Sequence, residues 1–139
     1  MGKQKGQSLI EFALVFPFFL FLILGIIYSG MLFYDYSTLS NIARSAARER
    51  AVADSSVQTS TIIGHYFVNN KFSPHIITSL YGPAKQNPFV IQNGASDSDD
   101  IVVTITMQLG RRPPIVEVIL PERYSIVYHM RKDYKETSP

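Results

Sequence analysis

The sequence predicts an α+β protein in which one long N-terminal helix leads into a short helix and a small antiparallel sheet. Residues Phe12 to Tyr34 form an apolar run without a single charged side chain. Apolar residues then recur at helical spacing as far as about Val52, and in the last third of the chain they alternate with a period of two. A length of 139 residues leaves room for one small domain beside the long helix.

The apolar run has the length of a membrane-spanning helix. As an α-helix, Phe12 to Tyr34 extends for roughly 34 Å, close to the ~30 Å hydrocarbon core of a bilayer. Lys3 and Lys5 precede the run, and Asp35 is the first charged residue after it. This asymmetry predicts a cytoplasmic N-terminus and an extracytoplasmic remainder. No small-residue cleavage site closes the run, so we expect the helix to remain in the mature protein.

The helical pattern continues beyond the apolar run, which predicts one helix from about residue 8 to about residue 52. Pro17 should kink this helix, because it removes one backbone hydrogen bond and crowds the carbonyl of Ala13. The apolar face outside the membrane consists of Leu32, Tyr36, Leu39, Ile42, Ala43, Ala46 and Ala47. The polar residues Asn41, Arg44, Ser45 and Arg48 fall on the opposite face, which we expect to be solvated together with Arg50.

The sequence pattern of the C-terminal part predicts a second helix followed by strands. Ser55 and Gln58 fit a capping box that would begin the helix, and the prolines of 73–88 predict a loop. Residues 101–109 alternate cleanly between apolar and polar, as expected of a half-buried strand. Further candidate strands are 89–91, 115–120 and 124–131. Short strands separated by turns favour an antiparallel sheet packed on the helical part.

Composition narrows the possible functions. The chain has no cysteine, so neither a disulfide nor a thiolate metal site is available. Its net charge is +2 and its basic residues are scattered, which argues against nucleic-acid binding. The acidic residues Asp97, Asp99 and Asp100 are weak candidates for calcium, but they lack the glycine and distal glutamate of a binding loop, so a solvated turn is favoured. No catalytic motif is present, and we expect no cofactor and no enzymatic activity.

The segment Gly6 to Phe12 reads Gly-Gln-Ser-Leu-Ile-Glu-Phe and admits two interpretations. In the first, Ser8 caps the helix and Glu11 reaches back to it in a capping box. In the second, Glu11 is an intramembrane acid with a function, because a carboxylate at the end of an apolar span is costly. The basic prefix and the membrane run that follows at once favour the second interpretation.

Several parts of the sequence resemble the TadE-like minor pilins (pseudopilins) of the tight-adherence type IV pilus system. The match rests on Gly-Gln-Ser-Leu-Ile-Glu-Phe, on Pro17 six residues after the glutamate, and on Asn-Ile-Ala-Arg-Ser-Ala-Ala-Arg at 41–48. The Met-Arg pair at 130–131 also resembles the end of the family's last strand. The segment Tyr28-Ser29-Gly30-Met31 departs from the family, which commonly has an acid and an arginine there.

The resemblance implies that a prepilin peptidase cleaves between Gly6 and Gln7. Glu11 and Phe12 would then act in subunit assembly, with the carboxylate compensating the new amine of a neighbouring subunit. Residues 1–6 would be a cytoplasmic leader, 7–34 a transmembrane helix, 35–53 its continuation, and 54–139 an extracytoplasmic α+β head. The implied partners are other pilins and the assembly machinery in a hetero-oligomer at the bacterial inner membrane, or in the pilus fibre at the cell surface.

Two further expectations concern the membrane helix and the class of protein. Gly25 and Ser29 are four residues apart and would let a partner helix approach closely. The alternative to a pilin is a signal-anchored envelope protein with an extracytoplasmic ligand-binding or sensory domain. Such a protein needs no cleavage at Gly6 and no partner for Glu11.

Overall fold

A computed structural model describes residues 3–53, 56–78, 80–93, 100–110 and 120–132, with residues 3–6 described by their backbone alone. The helices and strands are α1 Lys3–Val52, α2 Thr59–Tyr66, β1 Phe67–Val68, β2 Lys71–Phe72, β3 Tyr81–Pro83, β4 Phe89–Asn93, β5 Asp100–Leu109 and β6 Arg123–Arg131. The predicted α+β class is therefore confirmed. The chain divides into two units, residues 1–34 and residues 35–139.

The helix α1 ends at Val52, as predicted, but it begins at Lys3 and not near Ser8. Lysine and glutamine are good helix formers, and Gly6 alone does not prevent the first turn from forming. Ser8 consequently lies inside the helix, so the alternative interpretation in which it caps the N-terminus does not apply. The proline predicted to kink the helix, Pro17, lies within α1; the kink itself stays a prediction.

The buried face of the second half of α1 differs from the predicted face at one end. Residues beyond position 38 follow the prediction: Leu39, Ile42, Ala43, Ala46 and Ala47 are all buried. Tyr36, however, is 52% exposed, whereas Asp35 is only 3% exposed. The buried stripe thus begins with a carboxylate where the sequence predicted a tyrosine.

The helix α2 starts later than predicted and leads directly into a hairpin. Its N-cap is Gln58, which makes no side-chain cap hydrogen bond, so the predicted start at Ser55 is wrong; Ser55 itself lies outside the described residues. Strands β1 and β2 pair antiparallel around Asn69 and Asn70, whose φ angles are 51° and 61°. Two successive positive φ angles match the twist of a two-residue hairpin, and asparagine tolerates them better than most residues.

The main sheet is antiparallel and centred on β5. Strand β6 pairs with one side of β5, with Ile105 opposite Ile126. Strands β4 and β3 pair in succession along the other side, with Phe89 opposite Ile105 and Tyr81 opposite Leu109. Strand β3 lies in the region predicted to be loop. Most of the predicted strand 115–120 falls outside the described residues.

The predicted alternation of β5 is confirmed. Its residues Ile101, Val103, Ile105, Met107 and Leu109 are buried. The intervening residues are half-buried, and in β6 the side chains alternate with Ile126 as the buried member. These buried side chains and the alanine-rich face of α1 supply most of the core of residues 35–139.

Polar contacts tie the second half of α1 to the rest of this unit. Arg50 donates from Nε to Asn93 Oδ1 of β4 at 3.2 Å and from Nη1 to the carbonyl of Val57 at 3.1 Å. The guanidinium of Arg44 lies 5.8 Å from the ring centroid of Tyr128 in β6. Arg44 and Arg48 are exposed as predicted, whereas Arg50 is half-buried by its contacts.

Candidate assembly helix

The segment that carries the processing motif is helical. Gly6 and Gln7 lie inside α1, and Gln7 donates from Nε2 to Glu11 Oε1 at 3.4 Å. Phe12 contacts Phe16 one turn further on, with ring centroids 5.5 Å apart. Glu11 is exposed on the surface of the helix, so its carboxylate is accessible to a group outside this chain.

The first unit exposes apolar side chains all around its helix. Between positions 9 and 34 the large apolar residues are 38% to 77% exposed, from Met31 to Phe21, except for Leu32, which is half-buried. The helix is long and apolar enough to cross a membrane, by length and composition, and none of its most apolar stretch is buried within the chain. A helix that is apolar on every side requires lipid or other helices around it.

The predicted packing pair Gly25 and Ser29 forms a flat stretch of this surface. A Cβ placed on Gly25 meets no atom within 4 Å. The hydroxyl of Ser29 donates to the carbonyl of Gly25 at 2.8 Å, so its proton is already used within the helix. This geometry would allow close backbone approach, which is the physical basis of small-residue packing in membranes; packing of a partner helix on the pair stays a prediction.

Asp35, for which the sequence predicted no structural role, is buried at the start of the second unit. Its Oδ1 accepts a hydrogen bond from the backbone N–H of Ile77 at 2.7 Å. Its Oδ2 accepts from the backbone N–H of Thr78 at 2.8 Å and from the Thr78 hydroxyl. A buried carboxylate is tolerated when donors satisfy its oxygens, and here three do so.

Tyr124 lies near this buried carboxylate and packs against a second tyrosine, Tyr81. The rings of Tyr81 and Tyr124 pack edge to face with centroids 4.8 Å apart, and the hydroxyl of Tyr81 donates to the carbonyl of Pro121 at 2.8 Å. Burial raises the pKa of Tyr124 to about 12, and the negative charge of Asp35 contributes in the same direction. Both hydroxyls therefore remain neutral at physiological pH.

The weaker site candidates are not brought together. Asp97 and Asp99 lie outside the described residues, while Asp100 opens β5 opposite Arg131. In the described ranges no group of three or more His, Cys, Asp or Glu side chains is placed to hold a metal ion. His65 instead pairs through Nδ1 with Glu49 Oε1 at 2.7 Å, which joins α2 to α1.

Comparison with known proteins finds a family similarity in the N-terminal segment. The model of the TadE-like protein family matches residues 6–48. The match includes the Gly6–Phe12 motif, the apolar run and the start of the alanine-rich face, and it ends before the sheet. No curated protein and no solved structure matches the chain.

Proposed function

We propose that this chain, whose residues 6–48 match the model of the TadE-like protein family, is a minor pilin (pseudopilin) that takes part in assembling tight-adherence type IV pili. The TadE-like family is a structural, pilus-associated family, and the chain would act by assembly without catalysis. The observation that carries the proposal is the combination of the Gly6–Phe12 motif with a helix that exposes nearly all of its large apolar side chains between Leu9 and Tyr34.

The first step in this function is storage of the subunit in the inner membrane. Because the apolar side chains of residues 9–34 find no cover within the chain, transfer into hydrocarbon or among other apolar helices is strongly favourable. The positive charges of Lys3 and Lys5 retain the N-terminus in the cytoplasm, which directs residues 35–139 to the other side.

The second step is processing by a prepilin peptidase between Gly6 and Gln7. A glycine at this bond suits a protease that binds an extended chain, because glycine has no side chain to obstruct the cleft. The bond is helical in the isolated chain, so the first turn must open before cleavage. Glycine costs a helix about 1 kcal/mol relative to alanine, and few hydrogen bonds precede it, so this opening is inexpensive.

The third step is bundling of the processed helix with other pilin helices. Cleavage creates an ammonium group at Gln7, and the Glu11 carboxylate one turn along offers the compensating charge to a neighbouring subunit. The contact between Gln7 and Glu11 is long, at 3.4 Å, and lies on the helix surface. Rearranging it therefore costs little when a charged partner arrives.

Intact-mass measurement of the membrane-extracted protein tests this proposal. The pilin function predicts that the protein has lost residues 1–6 when it is produced together with the prepilin peptidase, and that it retains them without the peptidase. A full-length protein under both conditions would favour the signal-anchored envelope protein instead. The same extract, probed for other pilins after affinity capture, reports whether the processed form enters a hetero-oligomer.

A further inference from the structure

Ile77 is an exposed apolar residue whose backbone is hydrogen-bonded to Asp35, the first residue after the apolar run. Ile77 is 58% exposed, and its backbone N–H donates a hydrogen bond to Asp35 Oδ1 at 2.7 Å. Asp35 follows the last apolar residue, Tyr34, directly in the sequence. The next residue of the helix, Tyr36, is also exposed, at 52%.

From this placement we infer that Ile77 and Tyr36 contact the phospholipid headgroup region and hold the folded domain on the membrane surface. The inference rests on the membrane insertion contained in the proposed function, and not on the pilus role.

The depth of these residues follows from the thickness of a bilayer. The hydrocarbon core is about 30 Å thick and the whole bilayer about 40–45 Å, which leaves an interfacial layer of roughly 5–8 Å on each side. Asp35 lies one residue beyond the apolar run, about 1.5 Å further along the helix axis. The backbone nitrogen of Ile77, which donates a hydrogen bond to this carboxylate, therefore lies inside the interfacial layer.

The buried carboxylate explains why a distant loop comes to this level. An ion near the low-dielectric core is costly unless donors satisfy it, and Ile77 and Thr78 supply those donors from 42 and 43 residues away along the chain. The hydrogen bonds fix the backbone of the loop, and the exposed side chain of Ile77 is fixed with it.

The chemistry of the two side chains suits a lipid interface. Tyrosine is enriched at this depth because its ring prefers the apolar side and its hydroxyl the wet side. Isoleucine gains free energy when its apolar surface leaves water, in proportion to the area covered. A single exposed isoleucine is common on a soluble surface. What indicates a lipid partner is the hydrogen bond from Ile77 to Asp35, which follows the apolar run directly in the sequence.

The absence of tryptophan from the sequence allows a direct test with single tryptophan reporters. Ile77→Trp is compared with Val52→Trp, an exposed position (81%) at the end of α1, about 25 Å along the helix axis from Asp35 at 1.5 Å per residue. Phe21→Trp, in the middle of the apolar run, reports membrane insertion. Each full-length variant is reconstituted at low density into phosphatidylcholine vesicles carrying a nitroxide on the headgroup or deep in the acyl chain.

We expect the headgroup nitroxide to quench Ile77→Trp severalfold more than Val52→Trp, with a blue-shifted emission at position 77. Deep nitroxides should quench Phe21→Trp. Equal quenching at positions 77 and 52, with Phe21→Trp quenched, would overturn the contact while leaving insertion intact. Shielding of Ile77→Trp from aqueous iodide without lipid quenching would also overturn it, because a protein would then cover the residue. An unquenched Phe21→Trp would overturn insertion and the contact together.

Discussion

Asp35 and Thr78 lie 43 positions apart in the sequence, yet one carboxylate oxygen of Asp35 accepts hydrogen bonds from both the backbone N–H and the hydroxyl of Thr78. The other oxygen accepts from the N–H of Ile77. Because both Asp35 and Thr78 are buried, water does not readily replace either partner. The pair therefore fixes the loop before β3 to the helix at the point where the folded unit begins.

Replacing Asp35 with alanine should destabilise the folded domain by about 3 kcal/mol. The buried N–H of Thr78 and the part-buried N–H of Ile77 would both lose their acceptor, at about 1–3 kcal/mol for a fully buried donor and less for a part-buried one. Thr78→Val removes only the hydroxyl donor, and we expect a loss of about 1 kcal/mol. Denaturant unfolding of the full-length protein in detergent, followed by near-ultraviolet circular dichroism, measures both. Asn41→Ala, on the exposed face, serves as the control and should change stability by less than about 0.5 kcal/mol. Equal stability of Asp35→Ala and the control would contradict this role.

The alanine face of α1 should not accept larger side chains. Ala46 is completely buried, so Ala46→Leu forces neighbouring side chains apart and should cost about 1–3 kcal/mol. Ser45→Leu introduces the same side chain at the neighbouring exposed position and should be nearly neutral. Thermal unfolding of the two variants in the same detergent distinguishes them. Similar midpoints would show that the face is not tightly packed.

Tyr124 should make the folded domain sensitive to alkali. Its pKa is raised from 10.0 to about 12 in the folded protein. Between these values the unfolded chain has lost the phenol proton while the folded chain keeps it, so stability falls as pH rises. The contribution is fully present below pH 10. We expect the absorbance of the wild-type protein to show a phenolate step near pH 12 that Tyr124→Phe lacks. Burial also raises the pKa values of Tyr66 and Tyr81. The measurement is therefore the difference between the wild-type titration and the Tyr124→Phe titration. Superimposable curves would refute the assignment.

Gly6→Leu should block processing without affecting membrane insertion, because insertion depends on the apolar run and processing on the small residue at the cleaved bond. We expect the variant to be extracted from membranes with residues 1–6 still attached when the peptidase is present. Gly25→Leu is the matched control, since it places the same side chain on the same helix and should be processed normally. Mass spectrometry of the two variants shows whether residues 1–6 are still attached. Processing of Gly6→Leu would contradict the proposed requirement for a small residue at the cleaved bond.

Glu11→Gln should be inserted and processed normally but should fail to capture other pilins. Glutamine retains hydrogen bonding but not the charge, so a neighbour's N-terminal ammonium would be left unpaired, which typically costs about 3–5 kcal/mol in a buried pair. An association constant should then fall at least a hundredfold, by about 1.4 kcal/mol per factor of ten. Glu11→Asp keeps the charge with a shorter reach and should fall between the two. Co-purification from detergent and a count of surface pili measure the effect, and wild-type capture by Glu11→Gln would eliminate the pairing mechanism.

Local patterns in the sequence were sufficient for the long helix, for the alternating strand β5 and for the match of the N-terminal segment to the TadE-like family. The period of two in residues 101–109 predicts the buried face of β5, and the apolar run predicts the exposed N-terminal helix, because both depend on side chains within a few residues of each other. The Gly6–Phe12 motif is equally local. The hairpin at Asn69 and Asn70 has a local signal as well, because consecutive asparagines favour a turn, but such a pair fits the end of a helix equally well.

Tertiary structure decided which residues of α1 face the core where the folded unit begins, at Asp35 and Tyr36. Helical spacing alone favours Tyr36, whose ring is the more apolar, and disfavours Asp35, whose charge is costly to bury. The outcome is reversed because Ile77 and Thr78 bring three donors to the carboxylate. A hydrogen bond across more than forty residues exists only once the intervening chain has folded, and no pattern within one helix can encode it.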